Sequence, residues 1–170
     1  MSDAGAPRAL DPALLVRTLA HHEVRYVLVG ALAARLDGFP RVTADADITP
    51  ARDPENLVKL AAALRRLDAR VFTEGVPEGL AFDCSATTLA RAEVWNLVTS
   101  AGRVDVIFAP TGTHGYEELV TDAVRYEVFG VEIAVAPLER ILQMKEAADR
   151  AQDRQDAVLL RAMLDARPER

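Results

Sequence analysis

The hydrophobic and polar positions of the first third of the chain predict four elements that alternate between helix and strand. Asp11 followed by Pro12 is typical of a helix N-cap and its first helical residue. The stretch VRYVLVG is mostly apolar and β-rich, which favours a buried strand, whereas TADADIT alternates polar with apolar residues. The predicted elements are a helix from residue 11 to about 21, a strand over 24–30, a short helix over 31–38 and a strand over 43–49.

The remaining pattern predicts one more long helix, two hairpins and two C-terminal helices. Asp53-Pro54 repeats the capping pattern before the amphipathic stretch ENLVKLAAALRRL. Residues 71–90 contain two glycines and a proline, which predicts a loop-rich segment with room for a short helix. EVWNLVTS and RVDVIFA flank Ala101-Gly102, and RYEVF and VEIAV flank Gly130, so each pair predicts a hairpin. Pro137 opens the first C-terminal helix, and the second runs to about residue 164.

This mixture of hairpins and helices indicates an α+β fold, with a mixed β-sheet flanked by helices and a helical C-terminal part from about residue 137. A chain of 170 residues suits one domain with a sizeable core. We expect a flexible leader over residues 1–10 and a single domain over 11–170.

Composition limits the possible functions without selecting one. The net charge of −6 and the pI of about 5.1 exclude a generally basic surface for nucleic acid, although a local patch stays open. No apolar run is long enough to cross a bilayer, no signal-peptide pattern is present, and the single cysteine, Cys84, allows no internal disulfide. A cytoplasmic location is the simplest expectation.

Three aspartates in strand-like stretches are the strongest candidates for chemistry. Asp45 and Asp47 alternate with apolar residues, so both project from one side of the sheet with Cα atoms roughly 6–7 Å apart. Asp105 has the same setting in VDVIF, and three carboxylates converge if the two strands are neighbours. Uncompensated carboxylates are costly in such strands, and Mg²⁺ suits the cluster because it prefers oxygen ligands. Two such ions about 4 Å apart can hold the attacking and leaving oxygens of a phosphoryl transfer.

The junction between the first predicted strand and the helix after it predicts a phosphate site. The strand runs into Gly30, and the helix begins at once. Glycine permits a sharp turn and a close approach, and the free N–H groups and dipole of a helix N-terminus favour an anion.

These motifs together resemble a known family. VLVGALAARLDGFPRVTADADI resembles the nucleotidyltransferase signature, in which a Gly-Gly or Gly-Ser pair opens a helix and Asp-x-Asp lies on the next strand. The chain is most similar to small bacterial nucleotidyltransferases related to the AbiEii and MenT toxins, whose arginine and Ser/Thr before Asp-x-Asp are matched by Arg41 and Thr43. Within LERILQMKEAADRAQDRQDAVLL, their C-terminal motif is matched by Lys145, Arg150, Asp153 and Asp156.

The resemblance implies a minimal nucleotidyltransferase that uses Mg²⁺ or Mn²⁺ to transfer a nucleoside monophosphate from a nucleoside triphosphate (NTP) to an acceptor hydroxyl. By it, Asp45, Asp47 and Asp105 hold the metal, and Asp105 also helps to activate the acceptor. Lys145 is implied as catalytic and as facing the triphosphate with Arg41. The other implied nucleotide-binding residues are Gly30, Ala31, Thr43, Arg150 and Asp156.

The acceptor implied by the resemblance is a tRNA 3′ end, with the protein acting as a toxin that has a cognate antitoxin. A small-molecule or protein hydroxyl is the alternative acceptor, and a non-catalytic module that binds a partner protein is the alternative class. Two departures support the module: Ala31 has no hydroxyl, and Asp149, Ala151 and Gln152 replace the Gly, Pro and Lys of relatives. Thr43 corresponds to a position that is a candidate for inhibitory phosphorylation in the toxins.

The C-terminal motif also predicts a break in the helix. Lys145 and Asp156 are eleven positions apart, which is about 16 Å along an unbroken helix. A break near residues 149–152 would let the two side chains approach each other. The alternative is a surface Lys145 that pairs with Asp149 at i+4.

Overall fold

A computed structural model describes residues 8–168 of the chain. These residues form an eight-stranded mixed sheet and seven helices, which confirms the predicted α+β class. Among the helices of this range, none combines the length and hydropathy needed to span a bilayer. The elements are α1 Pro12–His21, β1 Tyr26–Val29, α2 Gly30–Leu36, β2 Asp45–Pro50, α3 Pro54–Arg66, β3 Arg70–Thr73, β4 Val76–Leu80, α4 Ala86–Leu89, β5 Val94–Thr99, β6 Gly102–Ile107, α5 Tyr116–Asp122, β7 Val124–Val128, β8 Val131–Val135, α6 Leu138–Ala148 and α7 Ala151–Asp165.

Both predicted N-caps form, because a side-chain oxygen satisfies an orphan N–H of the first helical turn. Asp11 accepts a hydrogen bond from the Leu14 N–H at the start of α1, and Asp53 accepts one from the Asn56 N–H at the start of α3. The two predicted hairpins are β5–β6 and β7–β8, each an antiparallel pair.

The sheet has the strand order β4-β3-β5-β6-β2-β1-β8-β7. The pairs β2–β6 and β1–β8 are parallel, and the pair β1–β2 is antiparallel. This order places β2 and β6 side by side at the centre, although more than fifty residues separate them in the chain.

The hydrophobic core includes one face of the central strands. Ala46 and Ile48 of β2 and Val104 and Val106 of β6 are completely buried. They belong to the same buried cluster as Leu15 and Leu19 of α1 and the leucines of α3. Because side chains alternate along a strand, the other face of β2 and β6 carries the aspartates.

One sequence prediction needs correction here. The segment 71–90 is not loop-rich: β3 and β4 form a hairpin around Gly75 that extends the sheet beyond β5. Pro77 is tolerated because β4 is an edge strand. Leu10, the last residue of the predicted leader, packs against the core, and the Asp11 N–H donates to the Ala101 carbonyl at 2.9 Å. Residues 1–7 of that leader lie outside the described residues.

Candidate active site

The three aspartates lie on one face of the central sheet. β2 and β6 are parallel, and Asp47 is paired in register with Asp105. Asp45 lies two residues before Asp47, so all three side chains project from the same face and line one cleft of about 790 Å³. The predicted convergence is confirmed as geometry, and all three residues are partly buried.

The electrostatics of this row favour a cation. Burial raises the pKa of Asp47 to about 7, and the nearby charges of Asp105 and Asp45 raise it in the same direction. Burial, with a further contribution from Asp45, raises the pKa of Asp105 to about 6. One carboxylate oxygen of Asp105, Oδ1, is buried without a hydrogen-bond partner. A positive charge among these carboxylates would relieve both the repulsion and the unsatisfied oxygen.

Gly30 is required by the position of Asp47. The residue begins α2 with a φ of +72°, which is the left-handed region that glycine adopts readily. A Cβ atom at this position would lie 2.1 Å from Oδ2 of Asp47, far inside van der Waals contact. Glycine therefore allows the backbone of the turn after β1 to lie directly against the Asp47 carboxylate. The sequence predicted that glycine makes room for a phosphate, whereas the structure shows that it makes room for this carboxylate. Ala31, the next residue, is buried and lines the cleft.

The predicted helix break is confirmed. α6 ends at Ala148, Asp149 adopts the left-handed conformation with a φ of +51°, and α7 begins at Ala151. The reversal brings α7 back over Lys145, whose Nζ lies 3.0 Å from Oδ1 of Asp153 and 3.1 Å from Oδ2 of Asp156. The alternative of a Lys145–Asp149 surface pair is wrong, because the Lys145 side chain is only 16% exposed and is directed to α7.

Asp156 joins this break to the loop before β2. Its carboxylate accepts two hydrogen bonds from Arg41, from Nη2 at 2.7 Å and from Nε at 3.0 Å, in addition to the contact with Lys145. Burial alone would raise the pKa of Asp156, but the hydrogen bonds from Arg41 and Lys145 lower it overall. Asp156 is 1% exposed and does not line the cleft, so it orients Arg41 and Lys145, which do.

Two further predicted residues, Thr43 and Arg150, also line the cleft. The Thr43 hydroxyl donates to Oδ1 of Asp45 at 2.8 Å and so orients that carboxylate. Arg150 is 78% exposed and its Nε lies 2.7 Å from Oδ2 of Asp153, which leaves much of the guanidinium open to solvent.

Sequence reasoning missed Asn96 and gave Asp153 no role of its own. Asn96 on β5 pairs in register with Asp105 and lines the cleft. The sequence held a signal for Asn96 in the hairpin turn at Ala101-Gly102. The turn pairs Thr99 with Gly102, and this register places Asn96 opposite Asp105. Asp153 is 2% exposed and holds both Lys145 and Arg150.

The aspartate row fits a hard divalent cation. No group of three or more His, Cys, Asp or Glu side chains within residues 8–168 has the close arrangement of a fully formed metal centre. The row instead offers carboxylate oxygens on one wall of an open cleft, together with the unpartnered oxygen of Asp105. Mg²⁺ is bound in this way in proteins, by a few carboxylates with water or phosphate oxygens in the other positions.

Comparison with known proteins shows the fold. No family model matches the chain, and no curated protein matches its sequence significantly. The lincosamide antibiotic adenylyltransferase LnuA, solved with lincomycin bound, aligns with 91% of this chain and 98% of its own at 13% identity and a TM-score of 0.59. A putative nucleotidyltransferase from Thermotoga maritima aligns with 94% of this chain and 98% of its own at 18% identity and a TM-score of 0.51.

A third solved structure agrees with these two. The antibiotic-resistance factor ANT(2'')-Ia aligns with 90% of this chain and 84% of its own at 18% identity and a TM-score of 0.52. The closer resemblance to AbiEii and MenT toxins stays a prediction. The chain has the fold of solved nucleotidyltransferases.

Proposed function

We propose that the protein transfers a nucleoside monophosphate from a nucleoside triphosphate to an acceptor hydroxyl and releases pyrophosphate. The observation that carries the proposal is the single cleft in which Asp45, Asp47 and Asp105 face the cations Lys145 and Arg150. Carboxylates for a metal and cations for phosphate oxygens are the two components that phosphoryl transfer needs. The nucleotidyltransferase fold supports the same reading.

In this proposal Asp45, Asp47 and Asp105 hold a magnesium or manganese ion. When bound, the ion would offset the negative charge that gathers on the triphosphate and on the acceptor oxygen. The raised pKa values of Asp47 and Asp105 are then expected to fall to their ordinary range, since the cation favours the ionised carboxylates.

The other residues position the reactants. The acceptor hydroxyl donates a hydrogen bond to Asp105, which takes the proton as the acceptor oxygen attacks the α-phosphorus. The bond from the α-phosphorus to the bridging oxygen breaks, and pyrophosphate leaves. Lys145, Arg41 and Arg150, with the peptide N–H groups of Gly30 and Ala31, stabilise the charge on the phosphate oxygens. Lys145 is already fixed by Asp153 and Asp156, so little reorganisation is needed.

The acceptor is the open part of this proposal. The resemblance to AbiEii and MenT toxins favours a tRNA 3′ end, with a cognate antitoxin as a further partner. A small molecule is favoured by the fold neighbours, because LnuA is a lincosamide antibiotic adenylyltransferase and ANT(2'')-Ia is an antibiotic-resistance factor.

The test is isothermal titration of the protein with the α,β-methylene analogues of all four triphosphates, which cannot release pyrophosphate. We expect at least one analogue to bind in the presence of Mg²⁺ and to be released by EDTA. Asp45→Ala should abolish binding because it removes a metal ligand. The matched control is Asp165→Ala, since Asp165 is an exposed carboxylate at the end of α7 and should have no effect.

The non-catalytic module is the second candidate. It is favoured by Ala31, which supplies no hydroxyl to a phosphate or a metal-bound water, and by Gln152 in place of a cation. If no analogue binds in a metal-dependent way and Asp45→Ala changes nothing, the module is supported and the enzyme proposal is wrong.

A further inference from the structure

The sheet register divides the cleft into two halves. Asp47 pairs with Asp105, and Asp105 pairs with Asn96, so the three residues form a row across β2, β6 and β5. Neighbouring strands are about 4.8 Å apart, which places Asn96 beyond Asp105 on the side away from Asp47. Two residues along on the same face, Val94 pairs with Ile107, and both line the cleft.

The cations of the cleft lie in the half that contains Asp47. Asp156 joins Lys145 to Arg41 in the loop before β2, the strand that carries Asp47. Asp153 holds Arg150 beside Lys145 on α6, the helix that follows β8 on the β1 side of β2 and away from β6. Arg103 does not belong to the cleft: its guanidinium stacks on Phe72 at 3.6 Å and lines a separate cavity of about 280 Å³. The triphosphate therefore belongs beside Asp47, and the acceptor belongs beyond Asp105.

The acceptor half contains an apolar surface next to Asn96. Val94 is 46% exposed although it is aliphatic, and it faces the cleft. Among the residues that the structure describes, no aromatic side chain lines the cleft. The apolar lining on the β5–β6 side consists of Val94, Ile107, Ala109 and Pro110, and its polar residues are Asn96 and Thr111. Met144 of α6 also lines the cleft.

We propose that the acceptor is a small uncharged compound that carries a hydroxyl group and an apolar portion, a proposal that rests on the proposed function. The apolar portion packs against Val94, Ile107 and Met144, and the hydroxyl reaches Asp105. A single-stranded RNA end is recognised differently, by cations along its phosphates and by aromatic side chains on which its bases stack. The acceptor half offers neither. The volume of about 790 Å³ is that of a small-molecule cleft and must also hold the nucleotide.

The test is methyl NMR of the full chain with labelled isoleucine and methionine methyl groups, saturated with Mg²⁺ and the α,β-methylene triphosphate that binds. The two probes are hexyl β-D-glucoside, below its micelle concentration, and an RNA minihelix that ends in CCA. We expect the glucoside to shift the Ile107 and Met144 signals and the minihelix to leave them unchanged. Ile48 is the internal reference, because it is completely buried on the opposite face.

A matched pair of variants locates the binding. Val94→Asn should weaken glucoside binding about tenfold, as expected when one aliphatic contact is lost. Val58→Asn changes another exposed valine, which lies on α3 and does not line the cleft. This control should have no effect on glucoside binding. Neither variant should change nucleotide affinity.

Each contrary outcome is decisive. Shifts of Ile107 or Met144 with the minihelix would overturn the proposal in favour of RNA, and no response to either probe would overturn it as well. If no triphosphate analogue binds at the first step, the proposed function fails and this proposal fails with it. Failure only at the probe step leaves nucleotide transfer intact and rejects the acceptor class.

Discussion

At the scale of single residues, the site places carboxylates where their negative charges do not stabilise the folded chain. Asp45, Asp47 and Asp105 share one face, and burial and mutual repulsion raise the pKa values of Asp47 and Asp105. Such an arrangement is typical of a site that is held for a ligand at the expense of stability.

Asp47→Asn is expected to stabilise the metal-free protein. The folded-state pKa of about 7 lies above the ordinary value of 3.8, so the folded chain holds this proton more tightly than the unfolded chain. Ionisation therefore lowers the free energy of unfolding as pH rises from about 4 to about 7, by on the order of 4 kcal/mol. Asparagine does not ionise and removes this loss.

Urea denaturation in EDTA at about pH 5 and pH 8 measures the effect. The stability gain of Asp47→Asn over the wild type should be larger at pH 8. In a separate titration with Mg²⁺, the variant should no longer bind nucleotide in a metal-dependent way. The exposed Asp165→Asn should show neither change. A variant less stable than the wild type at pH 8 would contradict the prediction.

Gly30→Ala tests the contact between the α2 turn and Asp47. Both Gly30 and Gly38 have positive φ values, +72° and +92°, so alanine costs about 1 kcal/mol of backbone strain at either. Only at Gly30 does the new Cβ collide with the Asp47 carboxylate, since Gly38 has nothing within 4 Å. In Gly30→Ala, titration should show metal-dependent nucleotide binding weakened about tenfold or more, which corresponds to a cost of about 1.4 kcal/mol for displacing the Asp47 carboxylate. In Gly38→Ala, nucleotide binding should be unchanged. Equal effects of the two substitutions would mean that strain alone is responsible.

At the scale of elements, the break between α6 and α7 assembles the cationic half of the cleft. The left-handed Asp149 reverses the chain, and Asp156 of α7 then bridges Lys145 of α6 and Arg41 of the loop before β2. The capping geometry at Arg150 continues the reversal, since Asp153 accepts from both the backbone N–H and the side chain of Arg150.

Asp156→Asn should destabilise the protein by about 3 kcal/mol near neutral pH, because it removes the counter-charge of Arg41 and one of the two carboxylates that hold Lys145. The pKa of Asp156 is lowered in the folded state, so its contribution is present above the unfolded pKa of about 4 and is lost as pH falls through the folded pKa. The stability difference between the wild type and the variant should therefore shrink below about pH 4.

Urea denaturation between about pH 3 and pH 7 checks this. Asp149→Asn is the control, because Asp149 and its partner Arg154 are both exposed and asparagine tolerates a positive φ. The control should change the free energy of unfolding by less than about 0.5 kcal/mol. A difference that persists undiminished in acid would show that Asp156 acts through packing rather than charge.

The elements that could be predicted are those whose signals are local. Asp11 and Asp53 cap helices through hydrogen bonds three residues away, and Gly130 sits in the turn of a hairpin. The hairpin of β3 and β4 was missed because Gly75, Gly79 and Pro77 disfavour an isolated strand, and pairing with β5 supplies the compensation.

At the scale of the whole molecule, the strand order creates the site. β2 and β6 become neighbours through a parallel pairing that skips three strands of the sequence, and only this pairing sets Asp47 beside Asp105. The same order puts β5 on the far side of β6 from β2, so that Val94 and Asn96 of β5 line the cleft beyond Asp105.

The amino-acid sequence by itself determined the α+β class, most helices and hairpins, the three aspartates as candidates and the break near Asp149. The class, the helices, the hairpins and the aspartates follow from periodicity, capping and turn chemistry, which act over a few residues. The break follows from the resemblance of the C-terminal motif to that of the toxins. Only the tertiary structure decided that Asp156 is a buried bridge, that the turn at Gly30 lies against the Asp47 carboxylate and that Val94 and Ile107 line the cleft beyond Asp105. The physical reason is that these properties depend on pairings between distant segments, whose register and burial no local pattern encodes.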